Sequence, residues 1–322
     1  MKRVIGEFEP QSYTQIIFPH KNTDWFEYLA EAEQTFVNII NTIRVYQKCL
    51  VVCYSVAAVK KHFSDAKNLI FVEYETDDTW ARDCSALSIE DNGEVKHLDF
   101  IFNAWGIKFD AKKDNLMSKT VTPDAISCNF VLEGGAVESN GEGIILTTSQ
   151  CMLNPNRNPN LNKKQINKFL HDNLGAKEIL YLNHGYLAGD DTDSHIDTLA
   201  RFINSNTIMY VKCEDKSDEH YQELFLMEQE LQVIAKEKEY KLIALPMSDA
   251  VYFEGERLPA TYANFLFVNG AVIVPVYGVK NDSLAINIFK ETFTDKEIIS
   301  IDCSILICQH GSLHCVTMNF TT

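Results

Sequence analysis

Side chains able to act as nucleophiles, acids or bases recur at comparable places in this chain, each shortly before a turn-forming segment or near the C-terminus. In chain order they are Asp83, Glu133, Asp191, His195, Asp197 and Cys315. A cysteine attacks carbon once its pKa falls from about 8.5, and an imidazole exchanges protons near neutral pH. Carboxylates accept strong hydrogen bonds from cations. Gathered in one pocket, these residue types permit covalent catalysis with general acid and base assistance.

Each group also has an ordinary explanation when it is considered alone. His195 and Asp197 would share one face of a strand, because alternate residues point the same way, but they also fit an exposed polar pair. Asp83 follows Trp80-Ala81-Arg82 and fits a surface ion pair. Glu133 precedes two glycines that fit a turn with positive φ. The chemical interpretation therefore depends on elements that bring these residues together.

A repeated pattern of helix, strand and hairpin supplies such elements. Turn residues between apolar runs predict hairpins at Asn92, Asn140, Asn204 and Asn269, which lie 48, 64 and 65 residues apart. Helical patterns lie between them, and the chain before the first hairpin alternates strands with helices. The predicted elements are a strand over 14–18, a helix over 24–44 with Asp24 as N-cap, a strand over 49–54, a helix over 56–63, a strand over 69–73, and helices over 163–173, 218–238 and 282–292.

The two ends of the chain predict how this array closes. The final strand, from Cys315 to Phe320, has no hairpin partner after it, and the opening strand from Thr14 has none before it. Pairing them completes a fifth hairpin and removes two exposed sheet edges. We therefore expect an α/β fold in which similar modules form a ring, as one domain over residues 1–322. An ordinary doubly wound sheet explains the alternation of helices and strands but not the regular hairpins.

Composition narrows the class of protein. Of 322 residues, 46% are hydrophobic, and 29 basic against 45 acidic residues give a net charge of −16. Such a charge disfavours nucleic acid and anionic lipid as partners and favours cationic ligands. Nine cysteines, an odd number and several within apolar runs, fit a reducing compartment. The N-terminal ten residues lack the apolar segment of a signal peptide, and no run is as long as a membrane span, so we expect a cytoplasmic protein.

A zinc site deserves consideration near the C-terminus. Cys303, Cys308, His310, His314 and Cys315 have some of the spacing of zinc ligands. Structural zinc sites usually take pairs of closely spaced ligands from turns, whereas residues 304–307 are apolar and predict a strand. We therefore expect no metal at this segment.

Taken together, the motifs resemble those of the agmatine deiminases, in the Porphyromonas-type peptidylarginine deiminase family of the guanidine-modifying superfamily. The similarity extends from about Glu9 to Asn319. It is carried by Trp80-Ala81-Arg82-Asp83, Phe102-Asn103-Ala104-Trp105-Gly106, Glu133-Gly134-Gly135, Leu153-Asn154-Pro155-Asn156-Arg157-Asn158-Pro159, His195-Ile196-Asp197 and Leu313-His314-Cys315-Val316-Thr317. The resemblance implies a five-bladed α/β propeller (pentein) and a homodimer. It also implies hydrolysis of agmatine to N-carbamoylputrescine and ammonia, in putrescine biosynthesis, without metal or cofactor.

The resemblance also implies roles for individual residues. Cys315 corresponds to a nucleophile that forms an S-alkylthiouronium intermediate, His195 to the general acid and base, and Asp83 and Asp197 to the pair that binds the guanidinium group. Glu133 corresponds to a supporting carboxylate, and Trp80 and Trp105 to walls of the pocket. For the primary amine of agmatine, the acidic run 190–193 is the expected partner, with Asp191 as our choice.

Two motifs depart from the family pattern and bear on substrate choice. The family usually has three consecutive glycines before the nucleophile segment, whereas this chain has Gln309-His310-Gly311-Ser312; Ser194 replaces a common glycine before His195. A peptidylarginine or free-arginine deiminase on the same fold is one alternative. An inactive guanidine- or polyamine-binding protein is an alternative of another class.

Overall fold

The computed structural model describes residues 2–322, so Met1, the first residue of the predicted domain, lies outside the described part. The strands are β1 Lys2–Val4, β2 Tyr13–Ile17, β3 Lys48–Cys53, β4 Leu69–Glu73, β5 Leu87–Asp91, β6 Glu94–Ile101, β7 Ile126–Val131, β8 Glu138–Ser139, β9 Ile144–Thr148, β10 Glu178–Leu182, β11 Ala200–Asn204, β12 Thr207–Lys212, β13 Lys241–Pro246, β14 Tyr252–Phe253, β15 Glu256–Arg257, β16 Leu266–Val268, β17 Ala271–Val276, β18 Glu297–Asp302 and β19 Thr317–Phe320.

Helices connect most of these strands. The α-helical segments are α1 Leu29–Tyr46, α2 Val56–Val59, α3 Ala81–Cys84, α4 Ala104–Ile107, α5 Asp114–Val121, α6 Ser149–Met152, α7 Lys163–Leu174, α8 Tyr221–Lys238 and α9 Asp282–Thr292. Short 3-10 turns cover Phe26–Tyr28, Lys60–His62, Gly134–Ala136, Ile196–Thr198 and Leu306–Gln309.

Five of the sheets repeat one arrangement, in which an antiparallel pair is followed, after a helix, by a parallel strand. The orders are β19-β2-β3, β5-β6-β7, β8-β9-β10, β11-β12-β13 and β16-β17-β18, with β4 and β1 added at the edges of the first two. The predicted pairing of the chain ends is present, because Thr317 to Phe320 lie antiparallel to Ile16 to Tyr13. Hairpins also occupy the four predicted turn positions.

Local sequence explains why several of these elements begin and end where they do. Asn92 and Gly93 both have positive φ, 54° and 85°, as a two-residue hairpin turn requires. In α7, Asn162 and Gln165 form a reciprocal capping box, and Gly175 ends the helix in the left-handed region at φ 68°. These two signals fix both ends of that helix.

Besides the strand expected at His195 and Asp197, three predicted local structures are wrong. The first long helix begins at Leu29 after a 3-10 turn, with Tyr28 at the N-cap, so Asp24 caps nothing. The last strand begins at Thr317, which leaves Cys315 in the preceding turn. Residues 304–307 form no strand; the 3-10 turn beginning at Leu306 replaces it, because Leu306 and Ile307 point their side chains into the core. Apolar content alone did not distinguish a buried turn from a strand.

The core consists of two clusters of buried hydrophobic side chains. The larger includes Phe36 of α1, Phe265 beside β16 and Phe289 of α9, and the smaller lies between β6, β7 and α7 around Phe130. Within residues 2–322, no helix is long and apolar enough to cross a membrane.

Candidate active site

An acidic cavity of about 410 Å³ lies where loops from distant parts of the chain meet. Its walls come from the segments after β2, before α3, after β6, before β11 and before β19. Aromatic rings at Trp80, Phe102, Trp105 and Phe109 form one part of the lining. The acidic part consists of eight aspartates: Asp24, Asp77, Asp78, Asp83, Asp110, Asp114, Asp190 and Asp191.

The cavity is short of basic groups. Among residues 2–322, no lysine or arginine lines it, and His310 is the one lining side chain that can become cationic. Burial, together with neighbouring aspartates, raises the pKa of Asp78 and of Asp114 to about 7. The cavity is therefore built to receive positive charge.

Three predicted site residues meet around Gly135. A Cβ atom placed on this glycine would lie 2.6 Å from His195 Nδ1, 3.0 Å from Asp83 Oδ1 and 3.1 Å from Asp197 Oδ2. Neither Gly134 nor Gly135 has positive φ. Gly135 therefore permits the close approach of these side chains, and Gly134 that of the backbone carbonyl of Arg82. The alternative of a positive-φ turn is wrong.

Asp83 faces the cavity from the short helix α3. Its Oδ1 accepts the backbone N–H of Gly135 at 3.0 Å, and its Oδ2 accepts the indole N–H of Trp105 at 3.0 Å. Burial raises the pKa of Asp83 to about 6, although His195 opposes the shift. Two donors thus orient the carboxylate, and its raised pKa makes it easier to protonate than an ordinary aspartate.

The Trp105 indole is delivered by a left-handed helical turn. Ala104, Trp105, Gly106 and Ile107 all have positive φ, from 54° to 90°, and the amide of Ile107 donates to the carbonyl of Asn103 at 2.8 Å. Left-handed geometry costs a non-glycine residue roughly 1–2 kcal/mol. Three such residues therefore store about 3–6 kcal/mol of strain. Strain of this size is found where a functional geometry is over-determined by its surroundings.

His195 and Asp197 lie just behind the cavity wall. They sit in a 3-10 turn and not on a strand as predicted, because the strand β11 starts only at Ala200. Both are about 1% exposed, and His195 Nδ1 is 3.6 Å from Asp83 Oδ1. Burial lowers the pKa of His195, but Asp83 and the other neighbouring acidic groups outweigh it and raise the pKa well above 6.5.

Cys315 lines the cavity and contacts Asn264, a residue that the sequence argument missed. Asn264 Oδ1 accepts the backbone N–H of His314 at 2.8 Å, which fixes the orientation of the amide. Asn264 Nδ2 then lies 3.3 Å from Cys315 Sγ and 3.5 Å from Asp197 Oδ2. Burial, with Asp197 and Asp83, raises the pKa of Cys315 well above 9.

Glu133 is fully buried and does not line the cavity. Both of its carboxylate oxygens lie 2.9 Å from Arg157 Nε, which donates to them. Ligand atoms of Glu133, Cys151 and His195 lie within 4.8 Å of one another, an arrangement with the donor types of a metal site. The Arg157 guanidinium at these same oxygens disfavours a metal cation there.

The three aspartates of the acidic run before His195 differ in their partners. Asp193 pairs with Arg157 at 2.7 Å and with Lys108 at 3.0 Å, and Asp190 accepts the backbone N–H groups of Thr192 and Ser194. The Asp191 carboxylate lines the cavity and accepts no hydrogen bond within residues 2–322. Burial, followed by Asp190, raises its pKa to about 6.

Of the two departures from the family motifs, residues 309–311 line this cavity, whereas Ser194 is buried and does not line it. His310 has φ 64°, and its Nδ1 is 2.8 Å from the carbonyl of Gly189. Gly311 packs so closely on the ring of Trp80 that a Cβ atom would overlap it. The potential zinc ligand His314 instead faces Asp197 and Glu7 with its two ring nitrogens.

Comparisons with known proteins identify the family of this chain. The family model for Porphyromonas-type peptidyl-arginine deiminase matches residues 3–320. A Vibrio parahaemolyticus protein, provisionally named an agmatine deiminase, is 32% identical, with 97% of this chain and 94% of the relative covered.

Solved structures of agmatine deiminases are also similar to this chain. The C. jejuni agmatine deiminase, a cysteine-to-serine variant with substrate bound, has a TM-score of 0.96 and 41% identity, covering 100% of this chain and 97% of that one. The agmatine deiminase of Enterococcus faecalis has a TM-score of 0.91 and 28% identity, covering 100% and 96%. The match over almost the whole chain confirms the predicted family. This chain belongs to the Porphyromonas-type peptidyl-arginine deiminase family.

Proposed function

We propose that this protein is an agmatine deiminase, which converts agmatine and water to N-carbamoylputrescine and ammonia. The observation that carries the proposal is the cavity itself: Cys315 and eight aspartates, Asp83 among them, line it, and no arginine or lysine among residues 2–322 does. Agmatine carries a guanidinium group at one end and an ammonium group at the other. An arginine substrate would bring a carboxylate into this acidic cavity, which has no guanidinium to receive it.

Asp83 and Asp197 bind the guanidinium group. Each oxygen of Asp83 keeps a lone pair beyond the one used by Gly135 or Trp105, and Asp197 Oδ1 has no partner within residues 2–322. Bidentate pairing with carboxylates fixes the plane of a guanidinium group and offsets the cost of burying it. Orientation of this kind removes on the order of 7 kcal/mol of a barrier in favourable cases.

Cys315 is the nucleophile, and binding of the substrate cation activates it. Burial and two nearby carboxylates keep the free thiol protonated, whereas a bound guanidinium favours the thiolate, and the thiol proton leaves to solvent. Sγ attacks the guanidinium carbon. His195, protonated beforehand, donates a proton to one amino nitrogen of the tetrahedral adduct, and ammonia leaves.

The second half of the reaction regenerates the enzyme. The covalent S-alkylthiouronium remains on Cys315, and His195 is now neutral. It takes a proton from water, and the hydroxide adds to the same carbon. The carbon–sulfur bond then breaks while the new hydroxyl group loses its proton to solvent, which releases the neutral ureido product and the Cys315 thiolate.

Asp191 binds the primary ammonium group. It is the member of the acidic run whose carboxylate is free of hydrogen bonds within residues 2–322, and it lines the same cavity as Cys315. Glu133 supports His195 from behind through its position next to Arg157 and Cys151, and Trp80 and Trp105 form the walls.

The larger assembly follows from the same proposal. The five repeated sheets and the paired chain ends support a closed ring of five α/β modules, as one domain. We also propose a cytoplasmic homodimer that serves putrescine biosynthesis.

An ammonia-release assay tests the function. The purified protein is compared on agmatine, free arginine and an arginyl peptide, with Cys315→Ser as the negative control. We expect turnover of agmatine far above that of the other two, and none in the variant. Preference for the arginyl peptide would make the protein a peptidylarginine deiminase, and absence of turnover on all three would favour a binding protein.

A further inference from the structure

A buried chain of hydrogen bonds leads from Asp197 away from the cavity. His314 Nδ1 is 2.6 Å from Asp197 Oδ2, and His314 Nε2 is 2.8 and 3.0 Å from the two oxygens of Glu7. The side chains of Asp197 and His314 are 1% and 2% exposed, and that of Glu7 is 16% exposed. Glu7 comes from the loop between β1 and β2, so a segment near the N-terminus reaches the back of the site.

Cations hold Glu7 in this position. Arg201 donates to its Oε2 at 2.6 Å, and Arg82 donates to its Oε1. Burial opposes ionisation, but Arg82, His314 and Arg201 together hold the pKa of Glu7 well below its usual range. Burial also opposes ionisation of Asp197, but the hydrogen bond from His314 is the largest of the interactions that lower the pKa of Asp197.

The ionised Asp197 carboxylate can only accept hydrogen bonds, so His314 Nδ1 carries the hydrogen of their 2.6 Å contact. Burial, followed by Arg201 and Arg82, lowers the pKa of His314, and Glu7 and Asp197 oppose this shift. The two ring nitrogens join Asp197 to Glu7 as one hydrogen-bonded unit.

We propose that His314 is a positioning residue for Asp197, anchored by Glu7: its Nδ1 side fixes Oδ2 so that Oδ1 faces the guanidinium group of the substrate. This inference rests on the proposed function. Asn264 cannot replace His314, because its Nδ2 is 3.5 Å from Asp197 Oδ2 and is directed also at Cys315. Without the Nδ1 contact the carboxylate keeps no strong donor and loses both its orientation and its charge.

Two substitutions separate the two sides of the imidazole. In His314→Asn the amide nitrogen takes the place of Nδ1, which keeps the donor to Asp197 and loses the contact with Glu7. In His314→Gln the amide nitrogen takes the place of Nε2, which keeps the contact with Glu7 and loses the donor to Asp197. We expect KM for agmatine to be at least tenfold higher in the Gln variant than in the Asn variant, with the melting temperatures of the two variants similar.

The measurements are steady-state kinetics and, in a Cys315→Ser background, calorimetric titration with agmatine. Equal KM and Kd for the two variants, or weaker binding by the Asn variant, would overturn the proposal, since a purely structural role predicts no such order. An inactive wild-type protein would refute the proposed function instead.

Glu7→Gln provides a second measurement if the His314 variants do not fold. It keeps an acceptor for Nε2 but removes the charge that anchors the imidazole. We expect at least a threefold rise in KM with kcat within twofold of the wild type. Unchanged KM would show that Glu7 does not anchor His314.

Discussion

Asp191→Asn should weaken the enzyme only against substrates that carry a second cation. The substitution keeps the shape of the side chain and removes its charge. Asp191 is the member of its acidic run whose carboxylate is free of hydrogen bonds within residues 2–322, so the substitution breaks no hydrogen bond of the described structure. The guanidinium end of the site, around Asp83 and Asp197, is left intact.

The size of the effect follows from the surroundings of the carboxylate. Two unit charges 4 Å apart attract by about 1 kcal/mol in water and about 4 kcal/mol at an effective dielectric constant of 20. Asp191 is half-buried, and a hydrogen bond between charged groups is worth about 1.5–3 kcal/mol net. We therefore expect kcat/KM for agmatine to fall about 10- to 150-fold.

Butylguanidine is the matched substrate, because it lacks only the amine. Its kcat/KM should be low in the wild type and should change less than about twofold in Asp191→Asn. Asp110→Asn is the matched variant, since Asp110 also lines the cavity but is 72% exposed and is expected to have little effect on either substrate. An equal loss on agmatine and butylguanidine in Asp191→Asn would refute the assignment of the amine site.

The pH dependence offers an independent check of the same assignment. Burial raises the pKa of Asp191 and of Asp83 to about 6, so both lose their charge as the pH falls through this value. Agmatine needs both carboxylates ionised, and butylguanidine needs only Asp83. Below the pKa values, log kcat/KM should therefore fall with a slope of about 2 for agmatine and about 1 for butylguanidine.

Two further predictions concern the guanidinium end. Trp105→Phe removes the indole donor to Asp83, while Phe102 still packs against the remaining ring. We expect kcat/KM to fall about 10-fold or more on agmatine and butylguanidine alike, and the acid limb of the pH profile to move to higher pH. An unchanged profile would contradict the role of this hydrogen bond. In Cys315→Ser, agmatine binding at pH 6 should release about one proton, because Asp83 and Asp191 are each about half protonated there. Calorimetry in two buffers of different ionisation enthalpy measures this, and binding without proton release would be inconsistent with the pKa directions.

Local signals in the sequence are sufficient to predict the repeated hairpins and one of the helices between them. Asn92-Gly93 and Asn269-Gly270 specify hairpin turns by their own conformational preferences, and the helix at 282–292 was predicted with its observed ends. The same repetition pointed to the pairing of the first and last strands. These features depend on neighbours in sequence, or on the need to pair a free edge, and both are visible without coordinates.

Asn264 is a site residue that residue type does not reveal. Reactive side chains precede the hairpins at Asn92, Asn140 and Asn204, whereas an amide precedes the one at Asn269. Asn264 occupies that fourth position, five residues ahead of the turn, and contacts Cys315. An amide has no reactivity of its own, so the residue type does not mark Asn264 as a site residue. Its position before a hairpin does.

Other features had no local signal at all. The positive φ values of Ala104 and Ile107 are imposed by the surrounding structure, because neither residue type favours them. The partners of Glu133 and Glu7 come from distant parts of the chain, Arg157 and Arg201 among them. Burial of such ion pairs depends on the assembled fold and not on spacing in the sequence.

The two carboxylates that meet around Gly135 are held in different electrostatic states, and this difference explains how one site binds a cation and also keeps a thiol ready. If neither had a partner, two buried carboxylates would tend to share a proton, and the pair would bind a guanidinium group weakly at neutral pH. His314 keeps the pKa of Asp197 low from behind the site, whereas burial leaves that of Asp83 at about 6. In the proposed mechanism, the carboxylate that stays ionised below that pH attracts the substrate, and the bound cation drives the proton from the other. The same cation would favour ionisation of Cys315, so substrate binding would generate the nucleophile and complete the binding site in one event.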